Sequence, residues 1–365
     1  MRHGPFRALF RAARRSLYRL RARGVPVVYD TRYQRGVFGV PMDPLRGEKV
    51  LGALEEAGLL VRDLVSEPRP ASLQNLLRVH TPEYLHAVQE ADALTRILGV
   101  EVPAREAEAT LDLQRLMTGG TIQATRLALR TGGVVVHLGG GFHHAMPDAG
   151  LGFCVFNDVA VAIRRLRGRG FAEPVLVVDL DLHDGNGTRR AFADDPTVHT
   201  FSIHNDHWGD TEAVASTSIA LGPGVGDARF LDTLHEALPP VFESVKPGLV
   251  VYLAGTDPAE DDPIGNWRLT AKALFERDRF VTSLARPGGR PGPMVVVLAG
   301  GYGRHAWRYS ARYVLWLASG RALEPVEEEA LALRRFRRLG RDLRHAEAVD
   351  DGLPFTLSEE DLTGL

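Results

Sequence analysis

Cysteine is almost missing from this sequence: Cys154 stands alone among 365 residues. That excludes an internal disulfide framework and fits a reducing, cytoplasmic setting. Lysine is nearly as scarce, at three (Lys49, Lys246 and Lys272) of 44 basic residues, a codon-usage signature of a GC-rich, bacterial genome that carries no mechanism. Uninterrupted apolar runs of the ~18 residues a membrane span needs do not occur. The formal net charge of −2 gives no general reason to expect nucleic-acid or anionic-lipid binding. There is no internal repeat, no Lys-Ser/Thr phosphate loop after "HLGGGFHH", and no G-x-S-x-G elbow of a serine hydrolase.

What is present is an alternating chain with the composition of a globular protein. The opening 24 residues carry eight arginines and no acid, with Phe6, Phe10, Ala13, Leu17 and Leu20 at helical spacing. This basic amphipathic segment lacks the apolar core of a secretory signal. We favour a helix docked on its own domain or a partly disordered lead-in over a membrane-surface or nucleic-acid arm. Strands are expected at 25–30, 132–141, 174–182, 197–204, 248–255 and 293–301. Helices are expected at 46–60, 72–95, 115–131, 157–169, 228–244 and 268–286. Apolar strands joined by helices predict one α/β domain over 25–320, with a mostly parallel sheet covered on both faces. From about residue 321 to 365 a charged helical tail is expected to pack on the domain or on a second subunit.

In such sheets ligands bind beyond the carboxyl ends of the strands. Four strands carry unusual residues there: "GGGFHH" with His143 and His144, "VVDLDLHDGN" with Asp179, Asp181 and His183, "AGTD" with Asp257, and "AGGYG" with Tyr302. Each alone has an ordinary structural explanation as a turn, a cap or a surface histidine. Four on one rim do not. Residues two apart on a strand share a face, and leaving acids there unpaired costs several kcal/mol each. Asp181, His183 and Asp257 supply three oxygen and nitrogen ligands with positions left open, the pattern of catalytic zinc, with ferrous iron as the alternative. "DLDLHDG" is not a calcium loop, since its glycine comes one residue late.

The ordered set "GGGFHHAMPDAGLGFCVFND", "VDLDLHDGNGT", "LAGTDPAEDDPIG" and "LAGGYG" resembles the zinc-dependent histone deacetylase family, of the arginase/deacetylase fold. The "GGTIQA" stretch leading into "GGGFHH" looks most like the class IV branch and its bacterial relatives. The resemblance implies that Asp181, His183 and Asp257 hold the zinc. It implies that His143 and His144 are the tandem active-site histidines, oriented by Asp179 and Asn186 respectively. Tyr302 would hydrogen-bond the substrate carbonyl. Phe153 and Gly152 would line the acyl-lysine tunnel, with Trp208 as the opposite wall. A structural potassium would sit among Asp179, Asp181, His183, Ser202 and Ile203.

Three departures from the family pattern stand out. Asp184 replaces the second histidine of the usual "HHGNG" form, "VPMD" (40–43) lacks a histidine of the entrance loop, and Asp261 replaces a common glycine. The expected reaction is hydrolysis of an acyl-lysine amide, acetyl or longer, by metal-activated water, on a protein or peptide. One alternative is the same chemistry on a small acylated amine such as an acetylpolyamine, favoured by an acidic mouth of Asp184, Asp206, Asp210 and Asp261. Another is a non-catalytic acyl-lysine-binding module, which the complete set of motif residues disfavours. Acyl length and oligomeric state are left open, the latter including a homo-oligomer formed through the tail.

Overall fold

Eight strands, all parallel, form one sheet in the order β2-β1-β3-β8-β7-β4-β5-β6. They are β1 (Val27–Val28), β2 (Val65–Ser66), β3 (Val134–His137), β4 (Val175–Asp179), β5 (Val198–His204), β6 (Ser216–Ala220), β7 (Leu249–Leu253) and β8 (Met294–Val297). The computed structural model describes residues 24–210, 212–285, 292–325 and 331. The basic segment 1–24 lies outside these residues apart from Gly24. Of the tail, only 321–325 and Leu331 are described, and Leu331 is buried in the core.

The valine-rich strands are buried on both sides, and their alternation divides two cores. Leu176, Val178, Val250, Tyr252, Met294 and Val296 face one apolar cluster. Val175, Val177, Val251, Leu253, Val295 and Val297 face the other. Helices supply both outer layers, as a doubly covered parallel sheet requires. Local chemistry sets their ends. Asn157 caps Asp158–Arg167 by accepting from the Ala160 amide, and Thr270 caps Ala271–Leu284 through the Ala273 amide. Gly132, left-handed at φ 65°, ends the helix Ala104–Thr131 and turns the chain into β3.

The expected parallel α/β architecture is the one observed, with local differences. Residues 72–95 form three short helices, Leu73–Leu76, Pro82–Ala87 and Ala91–Leu98. Ser72 and Thr81 cap the first two, and Pro82 disfavours helix in the residue before it. The helix expected at 115–131 starts at Ala104, directly after Pro103. Edge strand β6, "STSIA", carries almost no apolar signal and is fixed by pairing to β5. No helix among the described residues is long and apolar enough to cross a membrane.

Candidate active site

The four unusual strand ends belong to β3, β8, β7 and β4, which are consecutive neighbours in the sheet. Parallel register therefore brings their loops together on one rim. Asp179 pairs with Leu253, so the loops after β4 and β7 leave the sheet level with each other. The Gly300 amide donates to Asp181 Oδ2 at 2.7 Å, and the Leu182 amide to Asp257 Oδ1 at 3.2 Å. A Cβ at Gly300 would lie 2.5 Å from oxygens of both Asp181 and Asp257, so this turn admits only glycine.

Asp181, His183 and Asp257 offer ligand atoms that all lie within 4.8 Å of one another. His183 Nδ1 faces Asp257 Oδ2 at 3.0 Å and Asp181 Oδ1 at 3.2 Å. Bond lengths of ~2.0–2.1 Å to a tetrahedral metal put neighbouring ligand atoms about 3.3 Å apart, so the spacing fits. The electrostatics fit as well. Burial and the Asp181 charge push Asp257 up to about 7. Burial opposes the charge on His183, but the two carboxylates lift it to about 10. Two buried acids thus compete for one imidazole proton, and a divalent cation would satisfy all three side chains.

The tandem histidines have opposite surroundings. His143 Nδ1 donates to Asp179 Oδ2 at 2.7 Å. Burial would lower its pKa, but the charges of Asp179 and Asp181 raise it to about 9. His144 Nδ1 meets Asn186 Oδ1 at 2.8 Å. An amide oxygen only accepts, so His144 carries its proton on Nδ1 and leaves the Nε2 lone pair free. Burial and the neighbouring His143 charge hold His144 well below its ordinary value. The surroundings thus favour a proton on one ring and disfavour a second proton on the other, and the ring centroids lie 4.1 Å apart.

Tyr302 follows the glycine turn after β8. Asp262 Oδ2 fixes that turn by accepting from the Tyr302 and Gly303 amides at 2.7 and 3.0 Å. Burial and the charges of Asp257 and Asp181 keep the phenol protonated, well above its usual pKa. Phe153 lies edge-on to Tyr302 at 5.9 Å. Its left-handed φ of 68° is strained for a non-glycine residue and is held by Gln114 Nε2 on its carbonyl. Gly152 passes so close to His144 that a Cβ would come within 2.4 Å of the ring. Trp208 stacks flat on His144, with centroids 4.3 Å apart and planes 7° from parallel. A cavity of about 100 Å³ is lined by His143, His144, Gly152, Phe153 and Tyr302, with Val37, Val40, Met42, Pro44 and Met117 on its apolar side; Trp208, expected as a wall, stacks on His144 and is not among the lining residues.

Several supporting residues give no signal in the sequence. Arg46 is buried and donates to the carbonyls of Leu298, Ala299 and Gly300 and to the hydroxyls of Thr256 and Ser310. Burial lowers its guanidinium to about 10, and it braces the turn that carries Tyr302. Asp158 accepts from the amides of Gly141 and Phe142 and from Thr121, which also contacts the buried His137. That network sets the turn before His143. One acid of the anticipated mouth is corrected: Asp184 is fully buried and forks onto Arg189. Asp261 is bonded to His305 and Tyr309, leaving Asp206 and Asp210 as the exposed acids. Asp184 also lies with His204 and His207 in a second group close enough for a metal, but Arg189 already occupies its carboxylate.

Two buried histidines, His80 and His137, oppose protonation in the folded state. His80 donates to the Met146 carbonyl and accepts from the Asn157 amide. Burial lowers it from 6.5 to about 4, and His137 to about 3. Below 6.5 the unfolded chain binds protons that the folded chain refuses. The stability these two rings contribute is therefore complete above pH 6.5 and falls toward pH 4, by about 3 kcal/mol from His80 alone. Urea melts of the wild type and of His80→Gln at pH 7, 6, 5 and 4 check this, since the difference between them cancels the buried acids that titrate in the same window; identical pH slopes in the two proteins would show that His80 is not held neutral.

Comparison with known proteins places this geometry in context. The profile of the histone deacetylase domain matches residues 40–318. Histone deacetylase 2 of Arabidopsis thaliana is 30% identical over 300 residues, covering 79% of this chain and 77% of its own. A "probable deacetylase" of Archaeoglobus fulgidus is 30% identical over 284 residues, 72% and 77% of the two chains. The acetoin utilization protein AcuC of Staphylococcus aureus is 29% identical over 295 residues, 74% of each.

Proposed function

The chain belongs to the histone deacetylase family, and from that premise we propose that it is a zinc-dependent amidohydrolase that removes acyl groups from lysine side chains. The observation that carries this reading is the pair of adjacent histidines, one bonded to a carboxylate and the other to an amide oxygen, beside three side chains spaced to hold a metal. Asp181, His183 and Asp257 would hold the zinc. When bound, the metal polarises the amide carbonyl and lowers the pKa of water toward ~7. His144 Nε2, free and unprotonated, takes the proton of the attacking water and returns it to the leaving amine. His143 stays cationic against Asp179 and stabilises negative charge as it develops. The protonated Tyr302 hydroxyl donates to the same oxyanion, and Phe153 and Trp208 flank the lysine chain, with Gly152 beside them. The apolar side of the cavity favours acyl groups longer than acetyl as well as acetyl itself.

The potassium position of the family is proposed with less of the set free. Ser202 Oγ is already bonded to His204 Nδ1 at 2.8 Å. A cavity of about 10 Å³ touches Asp179 and Ser202, but Arg189 lines it too. Potassium there would rely on Asp179 and on backbone oxygens of Asp181, His183 and Ile203. A second substrate reading, a small acylated amine, rests on the exposed acids Asp206 and Asp210 flanking Trp208. Hydrolysis of acetyl-, octanoyl- and myristoyl-lysine peptides alongside acetylpolyamines separates these substrates.

Tyr302→Phe tests the oxyanion role because it deletes one donor and keeps the packed ring. kcat is expected to fall roughly 10²–10³-fold, with KM changed much less. Single-turnover kinetics and a thermal melt on one preparation read this. Unaltered turnover would remove Tyr302 from the chemistry.

A further inference from the structure

Trp208 sits in the loop 205–210, where Asp206, His207, Gly209 and Asp210 are all exposed. Loops of this kind are ordinarily mobile, yet this ring lies flat on His144 and 5.2 Å from His183. Its backbone is held on both sides by the turn that follows β4. The Trp208 amide donates to Asp184 Oδ2 at 3.0 Å, and its carbonyl accepts from Asn186 Nδ2 at 3.1 Å. The same Asn186 orients His144 through its oxygen.

Asp184 is itself locked. Arg189, in the short helix Asn186–Ala191, donates Nη1 to Oδ1 at 2.6 Å and Nη2 to Oδ2 at 2.8 Å. Spare donors of Arg189 reach Asp210 O at 3.1 and 3.3 Å and Ser218 Oγ at 3.1 Å. Asp184 and Arg189 are 0% and 2% exposed, and a buried pair of this kind persists only when its remaining polar atoms are satisfied. Here the satisfying partners are two points of one exposed loop, the Trp208 amide and the Asp210 carbonyl, together with Ser218 of β6. A planar fork matches a carboxylate in a way lysine cannot.

We propose that the buried Asp184–Arg189 pair is a positioning device that holds Trp208 as a fixed wall over His144 and His183 and thereby sets how tightly substrate is gripped. Arg189 touches no reacting atom and acts through Trp208. The inference rests on the proposed reading of the site, so its test includes a readout independent of turnover.

Arg189→Met releases the loop while leaving the metal ligands, both histidines and Tyr302 in place. KM for an acyl-lysine peptide is expected to rise on the order of tenfold with kcat much less affected. Acrylamide quenching of Trp208 emission, obtained by difference from Trp208→Phe, is expected to increase. Arg189→Lys should recover part of both effects. In a Trp208→Ala background, Arg189→Met should leave KM where Trp208→Ala put it, because the arginine then has nothing left to position. If Arg189→Met does not fold, Arg189→Lys goes through the same cycle. Additive effects, or a lower melting temperature with unchanged KM and quenching, would overturn the proposal. Increased quenching in a wild-type background that hydrolyses no acyl amide would support the clamp and refute the enzymatic reading instead.

Discussion

Stripping the protein with a strong chelator is expected to reduce amide hydrolysis to background, and stoichiometric zinc to restore it. The chemistry leaves little else to activate the bond. Besides the metal, the groups proposed to act on the carbonyl are His143 and the Tyr302 hydroxyl, and a single hydrogen-bond donor supplies about 3–4 kcal/mol. Asp181→Ala and Asp257→Ala should each lose bound zinc, since either removes one of three ligands. A second readout is thermal. A ligand that binds only the folded state at 1,000 times its Kd stabilises it by about 4 kcal/mol. Zinc should therefore raise the melting temperature of the wild type and not of Asp257→Ala. Full activity in protein verified as metal-free would end the metal-dependent mechanism.

The two histidines should separate under substitution. His144→Ala removes the neutral base and should lower kcat by roughly 10²–10⁴-fold, while zinc content and binding of a hydroxamate inhibitor persist. His143→Ala removes a cation held by Asp179 and should cost distinctly less. The difference follows from their partners: a carboxylate keeps one ring charged, and an amide leaves the other free to cycle. Equal losses would mean that this division of roles is wrong, even with the enzyme class intact.

Much of this site is legible in the sequence because its chemistry lies at strand ends. Asp179, Asp181 and His183 follow one apolar run at every second position, and His143, Asp257 and Tyr302 each follow another within a few residues. Apolar runs of this kind point to a parallel sheet, and the topology of such a sheet puts strand ends on a common rim. The edge strand β6 was not legible, because its polar residues owe their conformation to the neighbour β5 and to no pattern of their own. The helix Ala306–Ser319 was likewise not anticipated, though its Trp307, Ala311 and Val314 belong to the larger core.

By itself, then, the sequence determined the parallel α/β architecture and which residues gather at its carboxyl rim, because strand periodicity and burial act over a few neighbouring positions. The tertiary structure decided what those residues can do. Arg46 reaches Ala299 across 253 positions of chain, and Asp158 reaches the turn before His143 from the start of another helix. Asp184, an acid of the mouth when read in one dimension, becomes a buried anchor only when Arg189 and the Trp208 loop close over it. The charge state of a carboxylate or imidazole is set by its burial and by the charges packed against it. Those neighbours are assigned by the fold and have no local signature in the chain.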